Sequence, residues 1–215
     1  MKKIAVVLAG NGVYDGAEIH EATLTLLAIA RQGAHYECFA PDVEQAHVIN
    51  HLTGDEMPEK RNVLVEAARI ARGNIKPLSE YSAKDFDAII FPGGFGAAKN
   101  FCTFAFDGID CNVNPDVEKA VLSTVAEKKP IGALCISPVM IAKILGDVKV
   151  TIGQDEATVQ AVENLGGTHE KTTHGQIVVD EKYKIITTPC YMLNATIDQI
   201  AVGAENAVRK ILEMV

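Results

Sequence analysis

The sequence predicts a doubly wound α/β fold, with a mostly parallel sheet and helices on both faces. Three observations lead there. Short apolar runs rich in Val and Ile alternate with longer amphipathic stretches along the whole chain. The run before Gly10 and the one before Pro92-Gly93-Gly94 end in glycine-rich turns, as buried parallel strands do before a loop. No internal repeat, low-complexity tract or linker interrupts the alternation, so residues 1–215 read as one domain.

In chain order, residues 3–9 form an apolar run backed by Gly10-Asn11-Gly12 and read as the first strand. Ala17 to Gln32 has helical periodicity and is closed by Gly33 in the usual C-cap place. His35 to Ala40 is a second strand, followed by a long polar stretch through Asn50 and Glu59 without clear periodicity. Asn62 is placed to cap a helix running to Arg72, before Gly73. Asp87 to Phe91 is a strand running into Pro92-Gly93-Gly94. Asn114-Pro115 announces a helix over Asp116 to Lys128. Ile131 to Leu134 is the strand before Cys135, and Pro138 opens the next helix. Lys149 to Ile152 is a short strand and Glu156 to Leu165 a helix ended by Gly166-Gly167. Two runs, 177–179 and 184–188, pair around Asp180-Glu181-Lys182, and Ala195 to Met214 closes the chain as a helix.

Composition narrows the function classes. A net charge of −8, with no Lys/Arg cluster longer than a pair, leaves no basic face for nucleic acid or an anionic membrane. No apolar stretch approaches the ~20 residues of a membrane span. The start, Met1-Lys2-Lys3-Ile4-Ala5-Val6-Val7-Leu8-Ala9, has the opening of a signal peptide, but its apolar run ends at Gly10 without a plausible cleavage region. Five cysteines, odd in number and without C-x-x-C spacing, suit a reducing compartment. The expectation is a cytoplasmic protein.

In doubly wound sheets, ligands bind at the carboxyl ends of the strands. Three distinctive segments fall there: Gly10 to Gly16, Pro92 to Gly96, and Cys135. The last has the Ala-x-Cys-x-Ser spacing of a nucleophile elbow, Ala133 and Ser137 being small enough for a sharp strand-to-helix turn. The plainer reading is a buried structural cysteine. An elbow thiol at a helix N-terminus is expected to titrate below the ordinary value of about 8.5.

The backbone N–H groups of Gly93 and Gly94, with that of Ile136, are placed to hold an oxyanion. Two acids, Glu18 and Glu21, open the first helix. Such acids commonly only complement the helix dipole, but one of them held over the thiol would shuttle a proton. His174, in Thr172-Thr173-His174-Gly175, is a further group able to reach the site from a loop, set against the plainer reading of a solvated histidine. Cys190, in Thr188-Pro189-Cys190-Tyr191-Met192, also follows a strand end and is placed to lie near the site, but reads as structural. The G-x-G-x-x-x-G spacing of Gly10 to Gly16 is one residue too long for a dinucleotide fingerprint, and the histidines lack metal-ligand spacing. Neither a cofactor nor a metal is implied. Phe101, Phe104 and Phe106 are concentrated enough to form a cover over the site or a subunit contact, the latter predicting a homodimer.

These segments, with Gly12-Val13-Tyr14-Asp15-Gly16-Ala17-Glu18-Ile19-His20-Glu21-Ala22, Val48-Ile49-Asn50-His51-Leu52-Thr53-Gly54, Pro92 to Asn100 and Thr187 to Leu193, resemble the ThiJ/PfpI superfamily of class I glutamine-amidotransferase-like proteins. Within it the resemblance is to the enhancing-lycopene-biosynthesis branch, and it covers essentially the whole chain. It implies a flavodoxin-like fold, Cys135 as the reactive cysteine, and Glu21 as its partner, with Glu18 second. It also implies a cofactor-independent glyoxalase turning glyoxal-type dicarbonyls into 2-hydroxy acids (glyoxal into glycolate), with a link to isoprenoid supply. Members with a histidine directly after the cysteine or further downstream differ from this chain, which has Ile136 and Gly153-Gln154-Asp155 there. That departure counts against a Cys-His hydrolase, and the lack of a late His-x-Glu pair counts against glutamine amidotransfer. The same residues support a rival function, in which Cys135 is a non-catalytic redox sensor oxidised to sulfenic or sulfinic acid.

Overall fold

The computed structural model describes residues 1–215. Nine strands and seven helices follow one another as β1 (Lys3–Val7), α1 (Ile19–Arg31), β2 (His35–Ala40), α2 (Val63–Ile70), β3 (Ile75–Pro77), β4 (Ala88–Phe91), α3 (Phe104–Asp107), α4 (Pro115–Ala126), β5 (Ile131–Leu134), α5 (Ser137–Leu145), β6 (Lys149–Val150), α6 (Glu156–Asn164), β7 (Thr168–His169), β8 (Val178–Asp180), β9 (Ile185–Thr188) and α7 (Ile197–Glu213).

Seven strands make one sheet in the order β3-β2-β1-β4-β5-β9-β8. All neighbours are parallel except β8, which runs antiparallel to β9 with Val179 opposite Ile186. From β1 the order runs one way through β2 to β3 and the other way through β4, so the switch point of this flavodoxin-like arrangement lies between β1 and β4. A ligand crevice is expected beyond the strand ends there.

Burial on both faces explains the continuous apolar runs. On one side Ile4, Val6 and Leu8 join a core with Ile29 of α1, Val63 of α2 and Ile211 of α7. On the other, Ala5, Val7 and Ala9 join Val121 of α4, Ile141 of α5 and Val162 of α6. The expected caps form: Asn62 accepts from the Val65 N–H at 3.0 Å, and Asn114 accepts from Asp116 N–H at 2.9 Å. Several differences are local. The first helix begins at Ile19 rather than Ala17, because the Glu18 carboxylate accepts the Glu21 N–H at 2.7 Å and caps it. The run beginning at Lys149 stands outside the main sheet, pairing with Thr168–His169 in a second, two-stranded sheet. No helix is long and apolar enough to cross a membrane.

Candidate active site

The three segments picked out at the strand ends meet. The Phe95 N–H donates to the Val13 carbonyl at 2.8 Å, Gly96 N–H to Gly16 at 2.9 Å, and Glu18 N–H to Gly93 at 2.8 Å. Asn100 ties a fourth segment to them. Its amide nitrogen donates to the Ala9 and Asp15 carbonyls, both at 2.9 Å, while its oxygen accepts the Ala46 N–H at 3.0 Å.

Cys135 lies between the last residue of β5 and the first of α5, with φ at +60°. That left-handed conformation is uncommon for a residue with a Cβ and is held by its surroundings. Its N–H donates to the Thr188 carbonyl at 3.0 Å, and the Ser137 hydroxyl, two residues on, donates to the Pro92 carbonyl at 3.0 Å. The elbow is therefore clamped from β9 on one side and from the loop after β4 on the other.

Glu21 is wholly buried on α1. Its Oε2 accepts the Gly93 N–H at 2.9 Å and its Oε1 accepts the Tyr191 N–H at 3.3 Å, which aims the carboxyl within hydrogen-bonding reach of the Cys135 thiol. Of the two acids at the helix start, Glu21 lies beside the thiol and Glu18 caps the helix. The backbone N–H groups of Gly94 and Ile136 also face the sulfur. Gly93 stands between the carboxyl and the thiol.

Burial, and next the charge of Glu18, raise Glu21 from the usual 4.5 to about 7. Burial, and next the Glu21 carboxylate, push the Cys135 thiol well above its ordinary value, against the opposing pull of the Gly94 and Ile136 N–H groups. The expectation of a thiol titrating low is thus overturned. Two donors at a helix start do not outweigh desolvation beside a second acid. The pair retains a proton at neutral pH, and Glu21 has the affinity to take the thiol proton when the sulfur bonds elsewhere.

A cavity of about 410 Å³ opens over the thiol. Val13, Phe95, Phe104, Ile136 and Met192 supply much of its apolar wall, and Glu18, Asp155 and Thr158 its polar edge. Of the aromatic segment, Phe104 covers the cavity, Phe101 is buried against Phe91, and Phe106 is exposed. His174 is exposed on its loop and is not among the residues lining the cavity. The loop carrying it is held against α7 instead, where Asn206 donates to the Gly175 carbonyl at 2.7 Å. No cluster of His, Cys, Asp and Glu is arranged to hold a metal ion.

Sequence reasoning missed Tyr191 and Met192. They follow β9, whose carboxyl end adjoins the elbow; the strand-end rule marks Cys190 there but does not single out the two residues after it. Cys190 itself is buried, with φ at +44°. Tyr191 contacts His20 of α1, ring nitrogen to hydroxyl at 2.8 Å.

No protein-family model matches the chain. Two curated relatives do, each 47% identical over 222 residues that cover 99% of this chain. They are the ES1 protein homolog, mitochondrial, of Rattus norvegicus, 84% of which is covered, and the glutamine amidotransferase-like class 1 domain-containing protein 3, mitochondrial, of Homo sapiens, 83% covered. Among solved structures, an isoprenoid biosynthesis protein with an amidotransferase-like domain from Ehrlichia chaffeensis superposes with a TM-score of 0.94 at 35% identity, covering 100% of this chain and 99% of that one. Glyoxalase III from Candida albicans shares the fold, with a TM-score of 0.63 at 14% identity over 99% of this chain and 97% of its own. The mitochondrial names of the relatives correct the expectation of a cytoplasmic protein. Scattered free thiols report a reducing compartment, and an address is written in a targeting segment rather than in the folded domain.

Proposed function

The chain belongs to the family of ES1 and glutamine amidotransferase-like class 1 domain proteins, within the ThiJ/PfpI superfamily, and we propose that it is a cofactor-independent glyoxalase converting glyoxal-type dicarbonyls to 2-hydroxy acids. The observation that carries this reading is the Cys135 thiol with the Glu21 carboxyl at its side and the Gly94 and Ile136 N–H groups converging on it.

The Cys135 sulfur adds to one aldehyde carbon of glyoxal while Glu21 takes the thiol proton and passes it to the former aldehyde oxygen, which frees the carboxylate for the next step. The oxygen of the resulting hemithioacetal is held by the two backbone donors. Glu21 then moves a proton from the sulfur-bearing carbon to its neighbour through an enediol, oxidising the first carbon and reducing the second. Water cleaves the thioester that results, releasing glycolate and restoring the thiol. No electron leaves the substrate. Glu21, at about 7, is poised for the exchange because it gives and takes protons near neutral pH.

Glutamine amidotransfer is disfavoured by the lining of the cavity, which holds no histidine to serve the thiol. The rival redox function is weighed down by the raised thiol, since oxidation by peroxide follows thiolate character. Purified protein incubated with glyoxal and no added cofactor should yield glycolate, and Cys135→Ser should reduce the rate to that of buffer. Retention of activity in that variant refutes the role given to Cys135.

A further inference from the structure

The cavity over Cys135 is larger and more apolar than glyoxal requires. Glyoxal has two carbons and two oxygens, and the thiol and the two backbone donors already account for its polar atoms. The remaining space, most of about 410 Å³, faces Val13, Phe95, Phe104, Ile136 and Met192. Such a wall gains nothing from a small hydrated dialdehyde and gains steadily from each apolar carbon it removes from water.

The charge on the lining has one sign. Glu18 and Asp155 are its ionisable acids besides the site pair, and no Lys, Arg or His lines it. Neither acid is free to turn away. Glu18 is fixed by capping α1, where its Oε2 accepts the Glu21 N–H at 2.7 Å. Asp155 caps α6: its Oδ2 accepts from the Thr158 hydroxyl at 2.6 Å and the Thr158 N–H at 2.9 Å. The hydroxyl first, and then that N–H, hold the Asp155 carboxyl below the usual range, so it stays charged at neutral pH. Lys99 approaches a lining ring, its Nζ lying 5.6 Å from the Phe95 centroid, but it donates to the Tyr14 carbonyl at 2.8 Å. An anionic ligand would therefore meet the buried Glu18 and, at the solvent-exposed edge, Asp155, with no cation among the lining residues to offset its desolvation.

We infer that the site takes an uncharged 2-oxoaldehyde bearing an apolar chain of several carbons, and that Glu18 and Asp155 exclude anionic analogues. The inference rests on the proposed glyoxalase chemistry for its reacting end, while the preference for the tail follows from the cavity alone. Carboxylates, phosphate esters and diphosphates all fall in the excluded class. So does a glutathione adduct, in agreement with a reaction in which the protein supplies the thiol.

Two measurements test it separately from the chemistry. In the first, kcat/KM is compared for glyoxal, methylglyoxal and 4-methyl-2-oxopentanal. It should rise along the series by up to about fourfold per buried methylene, mainly through KM. A site that prefers glyoxal, or treats all three alike, overturns the inference. The second needs no turnover. Protection of Cys135 from iodoacetamide is followed by peptide mass with 5-methylhexane-2,3-dione, which is neutral, and with 4-methyl-2-oxopentanoate, which carries a carboxylate in place of the terminal methyl ketone. The dione should protect at a concentration about tenfold lower or more. Equal protection, or better protection by the anion, overturns the inference whether or not any aldehyde is turned over. Failure of every aldehyde to react, with the neutral ligand still preferred, would instead sink the glyoxalase chemistry and leave the preference standing. Asp155→Asn keeps an oxygen for the Thr158 cap and removes the charge. It should bring the two protecting concentrations closer, and an unmoved ratio removes Asp155 from the selection.

Discussion

The Glu21 carboxyl and the Cys135 sulfur meet across Gly93, where a methyl group on that glycine would come 2.7 Å from Glu21 Oε2 and 2.9 Å from Cys135 Sγ. Three elements are set by this one contact: α1 carries the acid, the loop after β4 carries the spacer, and the turn after β5 carries the thiol. The spacing of acid and thiol is thus a property of the sheet's carboxyl edge, not of any single loop.

Gly93→Ala should break that spacing. The added Cβ would also overlap the Cβ of Cys135, and the neighbours are a buried carboxyl and a strained elbow with little room to yield. We expect a loss of about 1–3 kcal/mol in stability from overpacking, and loss of most activity even in the fraction that folds. Urea unfolding together with glyoxal turnover reads both. A variant that keeps full activity would show that Glu21 and Cys135 do not act as a closely set pair.

The acid's role predicts a pH profile. With Glu21 raised to about 7, its base form is minor at pH 6 and dominant at pH 8, so kcat/KM should climb through neutrality and then level off. Glu21→Gln should lower the plateau by about 10²–10⁴ and remove the inflection. An inflection that survives the substitution belongs to a different group.

Much of this site is legible in the sequence, for identifiable reasons. Strands such as Ala88–Phe91 and Ile131–Leu134 are buried in the middle of the sheet, so their apolar runs mark them without tertiary information. Asn62, Asn114 and Gly33 mark helix ends by local chemistry alone. Cys135, Glu21, Gly94 and Ile136 are reached from motif spacing, the strand-end rule and family resemblance.

What escapes is set by distant partners. Ile75–Pro77 is a strand only because it pairs with Cys38 to Ala40, and a three-residue segment with a lysine and a proline has no periodicity of its own. The wide helical turn at Ala97–Phe101 follows a glycine-rich run that reads as a simple loop. Ionisation is the sharpest case. Helix-start position argues for an acidic thiol, and only the enclosed geometry around Glu21 and Cys135 shows that desolvation and like charge win. The placement of His174 away from the cavity is equally hidden, because nothing local reveals that its loop is tied to α7.

Asn100 offers a test of how the loops are held. It bridges the Ala9 and Asp15 carbonyls and the Ala46 N–H from a buried position. Asn100→Ala strips one partner from each of three backbone groups, which should cost about 3 kcal/mol in urea unfolding and loosen the Gly10 to Gly16 loop. Hydrogen exchange should quicken at the Ala46 amide. A stability change under about 0.5 kcal/mol would mean that water replaces the side chain at no cost.

The last prediction concerns stability against pH, and its sign is opposite to that of a salt-bridged carboxylate. Glu21 titrates near 7 in the folded protein and at the usual 4.5 when exposed. Between those values the folded chain holds a proton that the unfolded chain has released, so stability falls as pH rises. The loss starts above about pH 4.5, is complete a little above pH 7, and amounts to about 3 kcal/mol from this group. Glu21→Gln removes the titrating proton. It should therefore flatten the difference in unfolding free energy between pH 5 and pH 8, and make the variant relatively more stable at the higher value, even though one of the two backbone donors to Glu21 then faces an amide nitrogen. Urea titrations of both proteins at the two pH values decide it. If the parent gains stability from pH 5 to pH 8 and Glu21→Gln does not change that slope, the carboxyl beside Cys135 is not the protonated acid that its burial requires.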